Sequence, residues 1–150
     1  MIGLGSPHGD DAVGLAVADR LAGERLPSGV GVCACTRPGV DLLDLLEGAA
    51  AAVLVDGMRG GSTPGSVYEI DPAALAPGGA VSSHGLGVAE ALALGRALGR
   101  LPARLHVVGI EIGPLRGDGL SAPVAAAVEP ACARVRSLLA ACGAAPGEAD

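Results

Sequence analysis

Three side chains that could bind a metal lie where predicted strands and helices begin or end. Asp11 follows the short apolar run Met1–Leu4 and a turn rich in Gly and Pro. Asp56 comes directly after a second apolar run, Ala51–Val55, and His84 precedes a further helix. Carboxylate and imidazole groups together suit Zn, Ni, Co or Fe, and three protein ligands leave coordination positions open for another group. These three residues are therefore a candidate metal site, but the residue types do not identify which metal would bind.

Each of the candidate residues also has a purely structural interpretation. Asp10 is a natural N-cap for a helix beginning near Asp11, and both carboxylates would suit the positive end of that helix. Asp56 could cap the turn after a buried strand, and the backbone could satisfy the ring of His84. The spacing leaves both interpretations open, and convergence of the three residues in space would favour the site.

The elements that must position these residues alternate between strands and helices. The predicted strands are Met1–Leu4, Val30–Thr36, Ala51–Val55, Ser66–Ile70 and Arg104–Ile110. The predicted helices are Asp11–Ala22, Leu42–Glu47, Gly85–Leu98 and a long one from its cap Ser121 to about Ala141. This alternation indicates a single-domain α/β fold, a three-layer αβα sandwich with a mostly parallel twisted sheet. Sites in such sheets lie outside the carboxyl ends of the strands, where we expect both Asp11 and Asp56.

Three local details follow from turn and cap chemistry. Pro38-Gly39 should break the chain, so that Asp41 caps the short helix after it. Four glycines and a Pro-Gly pair within Gly57–Gly65 predict a long loop. The helix Gly85–Leu98 offers four leucines for burial, namely Leu86, Leu92, Leu94 and Leu98.

The composition excludes several classes of function. The 150 residues carry a net charge of −6 without a basic block, which argues against nucleic acid and anionic membranes as partners. Tyr68 is the only aromatic residue, so the stacking platforms for single-stranded nucleic acid are missing. No apolar run reaches the ~20 residues of a membrane helix, and Met1 leads directly into the first strand without a signal peptide. We therefore expect a cytoplasmic protein.

Standard nucleotide-binding and hydrolase motifs are absent. Gly3-Leu-Gly5 begins a dinucleotide-binding pattern, but His8 occupies the position of its third glycine. The P-loop, the G-x-S-x-G elbow and the H-E-x-x-H pattern are all missing. His8 could add a ligand to the site or be an exposed loop histidine, and His106 is expected to be structural. We expect the four cysteines to be buried, reduced thiols, and a metal or redox role is the alternative; they are Cys33, Cys35, Cys132 and Cys142.

Several motif-like stretches follow one another along the chain. The first is Gly5-Ser-Pro-His-Gly-Asp-Asp-Ala-Val-Gly14. The others are Val53–Asp56 with the glycine-rich loop Gly60–Gly65, Ser82–Gly87, Val107–Glu111 and Gly119–Ser121. Taken in order, they resemble the motifs of the nickel–iron hydrogenase maturation endopeptidases, whose opening motif is G-N-P-x-x-x-D-D-G-V-G and whose second motif is followed by a glycine-rich recognition loop. Ser6 replaces the family's Asn, Ala12 replaces its Gly, and the opening turn is one residue shorter.

The resemblance implies a function, a substrate and a site. The family trims a short C-terminal extension from the precursor of the hydrogenase large subunit after nickel has been inserted. By motif, the metal contacts fall on Asp11, Asp56 and His84, which are also the candidate catalytic residues. Nickel would then be supplied by the substrate rather than permanently bound. The resemblance covers about residues 1–140, and we assign residues 1–143 to a protease-like α/β domain. The long last helix should end near Gly143, so residues 144–150 are expected to form a flexible tail.

Two other functions are compatible with the same residues. A non-catalytic docking module would hold a metalloprotein partner at this edge of the sheet without trimming it. A general metallohydrolase would carry its own ion, generate a metal-bound hydroxide and act on small substrates. The residues also leave open whether Asp11 is a metal ligand or a catalytic carboxylate.

Overall fold

The computed structural model describes residues 1–77 and 85–143, and both His84 and the predicted tail 144–150 lie outside them. The strands are β1 (Ile2–Leu4), β2 (Cys33–Cys35), β3 (Ala51–Met58), β4 (Val67–Ile70) and β5 (Arg104–Glu111). The helices are α1 (Val13–Ala22), α2 (Pro38–Leu46), α3 (Gly85–Leu98) and α4 (Ala122–Gly143). Short 3₁₀ helices cover Gly9–Ala12 and Pro72–Ala74.

The strands form one sheet in the order β2-β1-β3-β5-β4. The neighbours from β2 to β5 pair in parallel, and β4 pairs with β5 in the antiparallel direction at the edge. The chain leaves β1 for β2 on one side and then returns to β3 on the other side of β1. The strand order therefore reverses between β1 and β3, as in doubly wound folds. The predicted α/β fold with a mostly parallel sheet is confirmed.

Two apolar cores cover the two faces of the sheet, which gives three layers. Val53 and Val55 of β3 pack in one core with α1 and α4, whereas Leu54 and Met58 pack in the other with α2 and α3. This alternation along β3 follows from the two-residue period of a strand. Every strand residue from Ala52 to Met58 is buried, as expected for a central strand covered by helices.

Small residues let α1 approach the sheet closely. A Cβ on Gly14 of α1 would overlap the carbonyl oxygen of Leu4 and lie 2.5 Å from that of Val55. The helix therefore begins directly above the boundary between β1 and β3, and a larger residue at this position would push it away.

The predicted start of α2 and the predicted end of β3 are both wrong. The helix α2 begins at Pro38, because proline at the first helical position needs no N–H partner and already has a helical φ. Asp41 lies in its first turn and forms an ion pair of 3.3 Å with Arg37 instead of capping the helix. The strand β3 continues past Val55 because its pairing with β5 persists to Met58 opposite Glu111.

The bounds of α3 are confirmed, but only part of its leucine face is buried. Leu92 is fully buried, whereas Leu94 and Leu98 are 52% and 56% exposed. The helix packs against α2 and one face of the sheet, so leucines on its outer side meet solvent. The helix α4 continues through Pro130. No helix in residues 1–77 or 85–143 is long and apolar enough to cross a membrane.

Candidate functional site

Asp11 and Asp56 both lie at the carboxyl ends of the strands, at the reversal of strand order. Asp11 is part of the 3₁₀ helix that follows β1, and Asp56 lies near the end of β3. Gly3 of β1 pairs with Val55 of β3, so the two aspartates follow neighbouring strands. This crevice is where doubly wound sheets bind their ligands. The predicted placement of both carboxylates at this edge is therefore confirmed.

The opening turn wraps around the side chain of Asp11, which is only 2% exposed. The hydroxyl of Ser6 donates a hydrogen bond of 2.5 Å to Oδ2 of Asp11, and the backbone N–H of Ser6 donates another of 3.1 Å to the same atom. Gly5 has φ +148°, and a Cβ there would overlap the carbonyl oxygen of Asp11. The residues Gly5 and Ser6 together hold this carboxylate in one orientation.

Asp56 is a fully buried carboxylate within an otherwise apolar strand. It lies between Leu54 and Met58 in the alternation of β3, so its side chain faces the layer of α2 and α3. The helix α3 begins one residue after His84 and covers this same face. A Cβ on Gly87 in the first turn of α3 would lie 2.9 Å from Cγ of Pro38, so the starts of α2 and α3 are closely packed.

Asp10 does not cap a helix, so this prediction is wrong. Its carboxylate accepts hydrogen bonds from the backbone N–H of Ser121 at 2.6 Å, the hydroxyl of Ser121 at 2.9 Å and the backbone N–H of Gly113 at 3.2 Å. Donors of the β5–α4 loop reach it from elsewhere in the fold, so Asp10 fixes that loop to the opening turn. The adjacent residues Asp10 and Asp11 thus have different partners.

Glu111 is a buried carboxylate whose role sequence reasoning missed. It is 3% exposed, and Oε2 accepts hydrogen bonds from the N–H of Gly60 at 3.0 Å and the hydroxyl of Tyr68 at 2.9 Å. Oε1 accepts one from the N–H of Gly61 at 2.9 Å. An acidic residue directly after the apolar run Val107–Ile110 was the available signal, because a charge there needs partners.

The backbone of Glu111 binds the other end of the same loop. Its N–H donates to the carbonyl oxygen of Ser66 at 2.9 Å, and its carbonyl oxygen accepts from the N–H of Gly65 at 2.8 Å. Glu111 therefore fixes both ends of the glycine-rich loop Arg59–Ser66, which begins shortly after Asp56. Burial and the hydrogen bond to Glu111 raise the pKa of Tyr68, so its hydroxyl stays protonated and donates.

The thiols and the other histidines lie outside this arrangement. All four cysteines are free; Cys35 and Cys132 are buried, and burial raises the pKa of both thiols. His8 is exposed in the opening turn, and His106 lies in β5 near its amino end. Within residues 1–77 and 85–143, no group of three His, Cys, Asp or Glu side chains could hold a metal ion. The set of Asp11, Asp56 and His84 includes a residue outside these ranges and stays a prediction.

A cavity of about 490 Å³ lies at the opposite end of the sheet. It is lined mainly by the segments before β2 and β3 and by the end of α4. None of the candidate residues lines this cavity, so the cavity is separate from the candidate site.

Comparisons with known proteins agree with this architecture. The family model described as HycI, hydrogenase maturation protease, matches residues 17–138. No curated protein sequence gives a significant match. The hydrogenase maturating endopeptidase HybD from E. coli has a TM-score of 0.84 and 27% identity over 95% of this chain and 91% of its own.

Two further solved structures have the same fold. An endopeptidase from Escherichia coli has a TM-score of 0.82 and 28% identity over 95% of this chain and 93% of its own. NiFe hydrogenase maturation protease HybD from Thermococcus kodakarensis has a TM-score of 0.69 and 23% identity over 92% of this chain and 96% of its own. The family model covers most of the chain, from within α1 to within α4 and including Asp56, whereas β1 and Asp11 precede the matched range. This chain therefore belongs to the hydrogenase maturation protease family and is a peptidase.

Proposed function

We propose that this peptidase removes a C-terminal extension from the nickel-loaded precursor of a nickel–iron hydrogenase large subunit. Asp11, Asp56 and His84 contact the nickel ion that the precursor carries, and nickel is part of the substrate. The observation that carries the proposal is the pair of buried carboxylates at the carboxyl ends of β1 and β3, in a chain of this protease family.

The surroundings of Asp56 support a functional role. Burying a carboxylate in an apolar strand opposes folding, because the charge loses its hydration. Such departures from an apolar core are typical of functional sites. Every other strand residue from Ala52 to Met58 is apolar, and an aliphatic residue would fill this position at less cost.

The surroundings of Asp11 support a preorganised contact. The two hydrogen bonds from Ser6 fix the carboxylate before any substrate arrives. A fixed ligand group loses little conformational freedom on binding, which favours recognition of a metal in a defined position. Two carboxylates and one imidazole also leave coordination positions for the precursor's own ligands.

Peptide cleavage requires a group that activates water and a group that protonates the leaving amine. Asp11 and Asp56 are the candidate general acid–base groups of this site. A metal-bound hydroxide is the competing source of the nucleophile. Replacing each carboxylate by its amide separates metal recognition from proton transfer if binding and cleavage are measured side by side.

The test is intact-mass analysis of a cognate large-subunit precursor incubated with the enzyme. Nickel-loaded and nickel-free precursors are compared, with the variants Asp11→Asn, Asp56→Asn and His84→Ala. His106→Ala, near the amino end of β5, is the matched histidine control. We expect loss of a C-terminal peptide only with nickel, abolished by the three site variants and retained by the control.

Two outcomes would replace the proposal. Nickel-dependent binding of the precursor without any change in mass would indicate a docking module. Tight stoichiometric metal in the purified enzyme, together with cleavage of small peptides lacking a hydrogenase sequence, would indicate a general metallohydrolase. His8→Ala tests the remaining histidine of the opening turn, and we expect it to retain trimming because its ring is exposed.

A further inference from the structure

The basic residues of this chain divide into bound and unbound arginines. All ten are arginine, and most bind acidic side chains or carbonyl oxygens of the protein itself. The bound ones are Arg20, Arg37, Arg96, Arg100, Arg104, Arg134 and Arg136. Arg25, Arg59 and Arg116 are exposed and form no ion pair or hydrogen bond within residues 1–77 and 85–143. Two of these three lie at the candidate site.

Arg59 and Arg116 are carried by two neighbouring loops at the carboxyl ends of the strands. Arg59 begins the loop after β3, three positions beyond Asp56. Arg116 lies in the loop between β5 and α4, and a Cβ on Gly9 would be 3.7 Å from its backbone nitrogen. The segment around Arg116 therefore packs against the turn that carries Asp11.

The two loops also touch each other. A Cβ on Gly113 of the second loop would lie 3.8 Å from Cγ of Pro64 in the first loop. The first loop contains no acidic residue, and Asp118 in the second forms no ion pair within the described residues. The edge of the sheet that holds the buried aspartates is thus bordered by two exposed guanidinium groups that form no ion pair within the described residues, and the exposed carboxylate of Asp118 shares a loop with one of them.

Each of these loops is fixed by a buried carboxylate. Glu111 binds the N–H groups of Gly60 and Gly61, directly after Arg59. Asp10 binds the N–H groups of Gly113 and Ser121, on either side of Arg116. Loops fixed in advance lose little conformational entropy when their side chains meet a partner. The buried carboxylates of Glu111 and Asp10 therefore fix the two loops that carry Arg59 and Arg116.

We propose that Arg59 and Arg116 bind carboxylate groups of the C-terminal extension that the enzyme removes; this inference rests on the proposed function. Guanidinium groups pair with carboxylates through two parallel hydrogen bonds. Every C-terminal extension ends in an α-carboxylate, and Asp or Glu side chains within it are a second source. In a chain of net charge −6, these two exposed guanidinium groups are local partners for a carboxylate, although the edge as a whole also carries acidic side chains.

The test measures trimming of the nickel-loaded precursor by Arg59→Gln, Arg116→Gln and the double variant. Arg25→Gln is the matched control, because Arg25 is also exposed and forms no ion pair within the described residues, but follows the C-terminal end of α1. We expect each site variant to raise KM roughly three- to fivefold with little change in kcat, as exposed ion pairs contribute modestly. The effect should shrink as salt rises from about 0.05 M to about 0.5 M.

Precursors with altered extensions identify the carboxylate. A semisynthetic precursor ending in an amide removes the α-carboxylate, and Asp→Asn or Glu→Gln changes remove the side-chain charges. The substrate change that removes the bound group should raise KM for the wild type and leave the double variant unaffected. Trimming by the wild type with unchanged KM in both site variants, or an equal rise in Arg25→Gln, would overturn this inference alone. Absence of trimming by the wild type would overturn the proposed function as well.

Discussion

The hydroxyl of Ser121 donates a hydrogen bond of 2.9 Å to Asp10, although 111 positions separate the two residues along the chain. The backbone N–H of Ser121 donates to the same carboxylate at 2.6 Å. The residue that precedes α4 is thereby attached to the turn that carries Asp11. This contact joins the two ends of the fold at the candidate site.

Two substitutions that break the Asp10–Ser121 contact should destabilise the fold to different extents. Ser121→Ala removes one hydrogen bond to a charged group, which is worth about 1.5 kcal/mol. Asp10→Ala removes all three hydrogen bonds to this buried carboxylate, one from the half-buried Gly113 and two from the exposed Ser121, and should lower the free energy of unfolding by about 3 kcal/mol. Urea denaturation measures both, with Ser28→Ala in an exposed turn as the control. Equal stability of Asp10→Ala and the wild type would contradict this role.

Ser6→Ala should reduce activity more than stability. The hydroxyl of Ser6 orients the carboxylate of Asp11, and its loss frees that side chain to rotate. We expect kcat/KM for trimming to fall about tenfold, which corresponds to about 1.4 kcal/mol. Ser28→Ala removes an exposed hydroxyl at the opposite end of the sheet and serves as the control. A loss of thermal stability large enough to explain the activity would indicate a structural role instead.

The single tyrosine reports the state of the Glu111 cluster. Burial and the hydrogen bond to Glu111 raise the pKa of Tyr68 above its ordinary value of about 10. Absorbance near 295 nm should therefore show little phenolate in the folded protein at pH values where the unfolded chain is ionised. Because the folded pKa is the higher one, this contribution to stability is complete below about pH 10 and declines above it.

Glu111→Gln gives the matched measurement for Tyr68. The variant removes the negative charge that opposes ionisation, so the pKa of Tyr68 should fall while its burial remains. Amide hydrogen exchange at Gly60 and Gly61 should accelerate in the same variant, because one carboxylate oxygen that accepted their N–H groups becomes an amide nitrogen. A titration of Tyr68 identical in both proteins would argue against the hydrogen bond.

Acid should weaken the contact between α4 and the segment that follows α1. The bidentate hydrogen bond from Arg136, at 2.8 and 3.1 Å, lowers the pKa of Glu24 below its ordinary range. Because the folded pKa is the lower one, the contribution to stability is complete above about pH 4.5 and is lost as the pH falls through the folded value. Glu24→Gln should therefore lose less stability than the wild type between about pH 6 and pH 3.

The control for Glu24 is an exposed carboxylate in α1, the helix that ends two residues before Glu24. Asp19 forms no ion pair within the described residues, so Asp19→Asn controls for the removal of one negative charge without the loss of an ion pair. Thermal unfolding at a series of pH values measures both variants. Identical pH profiles for Glu24→Gln and the wild type would show that the pair contributes nothing.

The thiols should react in two groups. Cys35 and Cys132 are 3% and 0% exposed, and burial raises the pKa of both, so little reactive thiolate is available. Cys33 and Cys142 are half-buried and should be alkylated first in the native protein. Peptide mapping after a short exposure to iodoacetamide distinguishes the four sites. Rapid modification of Cys35 or Cys132 without unfolding would contradict their burial.

The sequence by itself determined the fold class and the edge at which the chemistry lies. Alternating apolar runs and helical periods specify an α/β sheet, because burial of apolar side chains dominates folding. The bounds of α3 were predictable for the same reason. Asp11 and Asp56 were assigned to the carboxyl ends of strands, and parallel strands bring those ends to one edge. The predicted role of His84 comes from the family resemblance.

Only the tertiary structure decided which partners the buried carboxylates have. Local patterns compare residues a few positions apart, whereas Asp10 binds Ser121 and Glu111 binds Gly60 across 111 and 51 positions. The extension of β3 to Met58 likewise depends on pairing with β5, which sequence spacing does not reveal. The unbound state of Arg59 and Arg116 follows from the same cause, because a side chain's ion pairs depend on which distant elements the fold brings beside it.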